Sequence, residues 1–172
     1  MSRKIAFGGV FAGLTVVLVY MAFIMPTGKL TLYFLSSLPI AFSVVEFGAG
    51  VGAVVYFGAG ILSFLITGNI YAAVPFILFF GHYPILKCFI EKNRKALTEV
   101  LLKLAVFNAS AAVIFLLIGK LLWNTIPDVI LNYKILLVVL VILAQGAFLA
   151  YDYVFSRLIF YYESKMSLFR RG

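Results

Sequence analysis

Long charge-free runs, broken by short polar clusters, dominate the chain. Ile5 to Met25 carries no charged residue. About 20 apolar residues, wound as a helix, cross a hydrocarbon core of roughly 30 Å. The turn chemistry of Pro26, Thr27, Gly28 and Lys29 ends that run. A second run, Leu30 to Val45, is interrupted by Pro39 and closed by Glu46. Phe47 to Leu86 then carries no charge and is too long for one crossing. Gly68-Asn69 near its middle reads as a tight turn. The stretch therefore divides into helices over 48–67 and 70–86, and Pro75 and Pro84 are expected to kink or open the second of these. Lys87 to Lys95 reads as a polar loop. Leu97 to Gly119 is a fifth helix, amphipathic at its start through Glu99 and Lys103. Lys120 to Tyr133 is the longest loop. Lys134 to Phe155 is the sixth helix, and a basic tail follows. The pattern predicts an all-α membrane protein with six transmembrane helices, over 5–25, 30–45, 48–67, 70–86, 97–119 and 134–155, in a single domain spanning 1–172.

Composition agrees with that class. The 172 residues are 65% hydrophobic and 12% charged, and mean hydropathy is +1.14. A soluble domain is about one-quarter charged and about half apolar. Such a chain has too little polar surface to cover a core in water, whereas lipid solvates the excess. Arg3 and Lys4 before the first run resemble the start of a signal peptide. The run is long and no clean small-x-small cleavage site follows, so it is expected to be a retained first helix.

Charge then orients the spans. The net charge is +8. The basic residues sit at the ends of apolar runs, which serves topology and lipid headgroups rather than nucleic acid. Cytoplasmic loops carry an excess of Lys and Arg. With six spans, Lys29, Lys120 and Lys134 fall on one side. The other eleven of the fourteen basic residues fall on the side of both termini. Both termini are therefore expected to be cytoplasmic.

Polar groups within the apolar spans are the candidate functional residues, because each is costly in lipid without a partner. Lys29 and Tyr33 lie at the first outer loop. Asn69 and Tyr71 lie at the second. Trp123, Asn124, Asp128 and Lys134 lie at the third. Asn108 and Gln145 fall within the fifth and sixth spans. Together they are the candidate substrate-binding residues, under a lid of loops on the outer side. They also fit a plainer role, as interfacial aromatic belts, helix caps and interhelical hydrogen bonds. Glu46, His82 and Asp152 are placed toward the inner half without an assigned role.

Small residues form a second pattern. Gly8 and Ala12 are four apart, as are Gly9 and Gly13, and Gly48–Gly52 and Ala49–Ala53 repeat the spacing. Such strips let helices approach closely. The strip on the first helix fits docking of a partner subunit, or packing within this chain.

Absences narrow the chemistry. The sequence holds no phosphate-binding loop ending in Lys-Ser/Thr, no His-Glu-x-x-His and no Gly-x-Ser-x-Gly elbow. One histidine, one cysteine and scattered carboxylates do not make a metal site. No catalytic residue, cofactor or metal is expected, and the chain is read as a non-enzyme.

The chain resembles the substrate-binding S components of energy-coupling factor (ECF) vitamin transporters. The likeness rests on the six-helix size, on Gly8-Gly9-Val10-Phe11-Ala12-Gly13, on Leu38-Pro39 after the first loop, and on Gly48-Ala49-Gly50-Val51-Gly52. It covers most of the chain as pattern rather than as one diagnostic motif. The resemblance implies that Gly8 and Ala12, with Gly9 and Gly13 one step around, dock the shared transmembrane coupling subunit. The family's usual form of that strip is Ala-x-x-x-Ala, and glycine replaces the first alanine here. It also implies an outer pocket for a vitamin-like micronutrient, with ATP hydrolysis left to separate cytoplasmic ATPases. The expected location is a prokaryotic cell membrane. Two alternatives stay open: a structural subunit of a cell-shape complex, and a stand-alone small transporter.

Overall fold

The computed structural model describes residues 2–92, 95–122 and 134–171, with the side chains of 118–122, 134–137 and 166–171 outside that description. All described secondary structure is helical. In chain order the helices are α1 (Ser2–Ile24), α2 (Lys29–Phe47), α3 (Ala49–Thr67), α4 (Ile70–Pro75), a π-helical segment (Phe76–Phe80), α5 (Tyr83–Ile90), α6 (Ala96–Leu122) and α7 (Lys134–Arg171). They form six segments long and apolar enough to cross a membrane, with α4, the π segment and α5 counting as one broken crossing over Ile70–Ile90. This is a multi-pass membrane protein.

The joints follow from backbone chemistry. Gly28, Gly48 and Gly68 have φ of 74°, 91° and 58°. A side chain is strained there and glycine is not. Gly68 closes α3 by donating its N–H to Phe64 O, and Asn69 opens α4 by accepting the Tyr71 N–H on its side-chain oxygen at 2.9 Å. The predicted Gly68-Asn69 turn is a helix C-cap followed directly by an N-cap.

Two spans depart from the expected boundaries. The fourth was expected over 70–86 with Lys87 opening a loop, yet α5 runs on to Ile90 and includes Lys87. Lys87 completes an i,i+4 pair with Glu91, which keeps the helix going. The sixth was expected to end at Phe155, yet α7 continues to Arg171. No Gly or Pro stands between Ser156 and Arg171, so nothing local breaks it. Its exposed basic side chains lie over aromatic rings one turn back: Arg157 over Tyr153 at 5.3 Å and Lys165 over Tyr161 at 5.8 Å. Such pairs suit long cationic side chains near a membrane interface.

The chain divides into two compact units, residues 1–103 and 104–172. In the first, α1, α2 and α3 pack on one another, and α2 also packs on α5 and the π segment. Its core holds Val19, Ile40, Ala59, Ala73, Phe76 and Tyr83, all fully buried. Half of the fourth span and 44% of the second are buried, against 22% of the first and 28% of the third, so α2 and the broken helix are central in this unit and α1 and α3 face outward. Val54, Phe57, Ile61 and Leu65, at helical spacing on α3, are each more than 60% exposed. An apolar stripe of that extent belongs in lipid.

In the second unit, Phe107 of α6 stacks on Phe148 of α7 with centroids 4.7 Å apart. Tyr151 and Phe155 continue the ladder along α7. Val138 to Leu143 are six consecutive exposed apolar residues that cover every side of the helix.

Candidate functional site

Helices of the first unit alternate in direction. The starts of α1 and α3 therefore share an end with the ends of α2 and α5. At this end a groove of about 630 Å³ runs between α1 and α3. Its walls are Gly8, Gly9 and Ala12 from α1 and Gly50, Val54 and Gly58 from α3, with Lys4 and Phe47 also contributing. The groove exists because side chains are missing. A Cβ built on Gly9, Gly50 or Gly58 meets nothing within 4 Å. Three of the four predicted docking residues, Gly8, Gly9 and Ala12, line it, and Gly13 is not among its lining residues.

The other small-residue strip has a different use. A Cβ on Gly52 would run into the Val44 side chain of α2. Gly52 therefore seats α3 against α2. A Cβ on Gly8 would sit at 3.8–3.9 Å from Val55 and Val51, ordinary contact distance, so Gly8 is both a groove residue and part of the α1–α3 contact.

The same end holds a buried ion network. Lys87 of α5 and Lys103 of α6 are 2% and 4% exposed. Lys103 Nζ lies 2.6 Å from Glu91 Oε1 and 2.6 Å from Glu99 Oε1, and Lys87 Nζ pairs with the same Glu91 oxygen. One carboxylate thus holds two buried ammonium groups and ties the end of α5 to the start of α6. The sequence carried a signal for it in two i,i+4 pairs, Lys87/Glu91 and Glu99/Lys103.

At the opposite end of the first unit lie four of the predicted substrate-binding residues. Lys29 is the exposed first residue of α2. Tyr33 is buried, donates its hydroxyl to the Ala72 carbonyl of α4 at 2.6 Å, and stacks on Phe80 at 5.7 Å. Asn69 caps α4, and Tyr71 beside it is exposed. Tyr33 and Asn69 are thus engaged with backbone.

Asn108 and Gln145 meet in the second unit. Gln145 Nε2 donates to Asn108 Oδ1 at 2.9 Å, and Asn108 Nδ2 donates to Leu104 O at 2.8 Å. Trp123, Asn124 and Asp128 lie outside the described residues, as does the side chain of Lys134, the first residue of α7.

Sequence reasoning passed over one further constellation, in the middle of the fourth span. The Ile77 carbonyl accepts the Tyr56 hydroxyl at 2.8 Å and the His82 ring nitrogen Nδ1 at 3.2 Å. A carbonyl only accepts, so Nδ1 carries the proton. Pro75 and Pro84 flagged an irregular helix there, but not which carbonyl it would free. No group of three or more His, Cys, Asp or Glu suited to a metal occurs among the described residues.

Comparison with known protein families, with curated proteins and with solved structures finds no match.

Proposed function

We propose that this chain is the substrate-binding S component of an ECF-type importer in a prokaryotic cell membrane. It binds a small vitamin-like molecule at the end of the bundle opposite the groove. It docks through the groove onto the transmembrane coupling subunit, while separate ATPases supply the energy. The chain itself performs no catalysis.

The observation that carries this reading is the α1–α3 groove. Its glycines leave open a slot from Lys4 to Ala12, eight helical rises or roughly 12 Å of helix. Helices associate in lipid through such close backbone approach, since no hydrophobic drive separates protein from lipid tails. The charge bias supports the required orientation. Arg3, Lys4, Lys87, Lys92 and Lys103 gather at the groove end of the first unit, which the positive-inside rule assigns to the cytoplasm.

One observation favours a second reading, a ligand-free structural subunit of a cell-envelope complex. The Tyr33 hydroxyl and the Asn69 side-chain oxygen are spent on backbone rather than presented to a ligand. The two readings part on a single preparation. The tagged chain, expressed with a coupling subunit and its ATPases and extracted in mild detergent, is assayed for those subunits and for retained small molecules. The transporter reading expects both. Neither subunits nor a retained molecule would leave the structural reading standing.

A further inference from the structure

The fourth span changes its hydrogen-bond register halfway. Gly81 donates its N–H to Phe76 O at 2.7 Å, five residues back. In an α-helix that N–H goes to the residue four back, Ile77. The Ile77 carbonyl is instead taken by the Tyr56 hydroxyl of α3 and the His82 imidazole. Two side chains and one backbone N–H thus compete for one acceptor, and the side chains hold it.

Gly81 fits this competition. A Cβ there would lie 2.6 and 2.7 Å from the Tyr56 ring and 2.9 Å from the Phe76 carbonyl. Glycine alone lets the phenol approach the helix closely enough to reach Ile77. Pro75 and Pro84 flank the segment and offer no N–H to Tyr71 O or Phe80 O, so neither neighbouring turn locks the register.

We propose that the π segment Phe76–Phe80 is a two-register switch, set by whether the Ile77 carbonyl is held by Tyr56 and His82 or by the Gly81 N–H. Returning Gly81 to Ile77 takes up the extra residue of the π turn. That rotates one part of the span against the other by about 100°, the turn per residue of an α-helix. π turns inside helices recur at functional sites, and packed elements shift between discrete arrangements rather than deforming smoothly.

Both parts of the span are packed into the first unit. Tyr83 of α5 is fully buried, and Lys87 is buried on Glu91. The outer part, α4, is six residues long, carries the exposed Tyr71, and is tied to α2 through the Tyr33 hydroxyl on Ala72. Ala72, Ala73 and Val74 of α4 are buried as well, so the register change turns one part against the other and re-aims Asn69 and Tyr71 relative to α5. The inference stands on these hydrogen bonds and does not depend on the transporter reading.

The test uses the single native cysteine, Cys88, which is exposed on α5. Tyr71→Cys supplies a second label position 17 residues earlier, about 25 Å along the helix. Spin labels on both, in liposomes, report the distance across the π segment by double electron–electron resonance. Tyr56→Phe with His82→Phe keeps an aromatic ring at each position and removes both donors. The expected result is a new distance population, absent from the parent pair. Tyr56→Phe alone, which leaves the ring against Gly81, is expected to give a smaller population at the same new distance. Gly81→Ala, which pushes the phenol away from Ile77, is expected to give it as well. Distance distributions unchanged in all three variants overturn the proposal.

Discussion

Tyr33 of the second helix donates its hydroxyl to the backbone carbonyl of Ala72 in the fourth span, 2.6 Å away, and its ring stacks on Phe80. A residue expected to contact ligand therefore joins two helices. Tyr33→Phe keeps the ring and removes the bond. It is expected to cost about 1 kcal/mol, the net worth of one such hydrogen bond. Thermal unfolding in detergent measures this as a lowered midpoint. An unchanged midpoint would contradict a structural role for the hydroxyl.

Glu91 is the shared partner of Lys87 and Lys103, so the members of the network are not equivalent. Glu91→Gln removes the charge facing two buried ammonium groups. Lys103→Met removes one ammonium and leaves Glu91 and Glu99, which are 38% and 27% exposed, within reach of water. Breaking a fully buried pair costs about 3–5 kcal/mol, and the partial exposure of Glu91 lowers this to about 2 kcal/mol. Glu91→Gln is expected to destabilise more than Lys103→Met when both are unfolded under one condition. The reverse order would sink the assignment of Glu91 as the node.

Asn108 and Gln145 are predicted to be coupled. A double-mutant cycle with Asn108→Ala and Gln145→Ala should give an interaction of about 0.6 kcal/mol, the average for hydrogen bonds between membrane helices. Additive effects within error would mean that the 2.9 Å bond contributes nothing.

The alternation of spans makes a labelling prediction. Once Cys88 is replaced by serine, a cysteine at Ser2 and one at Lys165 should react with an impermeant maleimide from the same side of sealed vesicles. A cysteine at Lys29 should react from the other. Ser2 and Lys165 reacting from opposite faces would rule out the even number of crossings.

The spans were legible in the sequence because a charged residue in lipid is costly, so charge-free runs mark them directly. Gly68 and Asn69 were legible for a similar reason, as residue types whose backbone preferences suit a turn. The role of Tyr33 was not. A tyrosine at a membrane interface and one turned inward onto a carbonyl look alike until the pairing of α2 with α4 is known. The same holds for Tyr56, whose partner Ile77 is 21 residues away. Pro75 and Pro84 announced a disturbed helix, but the form of the disturbance depends on which side chains reach the freed carbonyls. Gly8 and Gly52 both sit in four-residue small repeats. Only packing separated the one that opens a groove from the one that seats a neighbouring helix.

Gly9 has open space around its Cβ, whereas a Cβ on Gly52 meets the stiff, β-branched Val44. Gly9→Leu should therefore leave the fold intact and fill the groove. Gly52→Ala should cost about 1–3 kcal/mol by overpacking. The most direct measurement is co-purification of the tagged chain with an ECF coupling subunit and its ATPases, comparing wild type with Gly8→Leu, Gly9→Leu and Ala12→Leu. Wild type is expected to bring the complex down, and Gly9→Leu, at wild-type unfolding midpoint, to lose most of it. A wild-type chain that never associates, or a Gly9→Leu chain that associates as well as wild type, would contradict it.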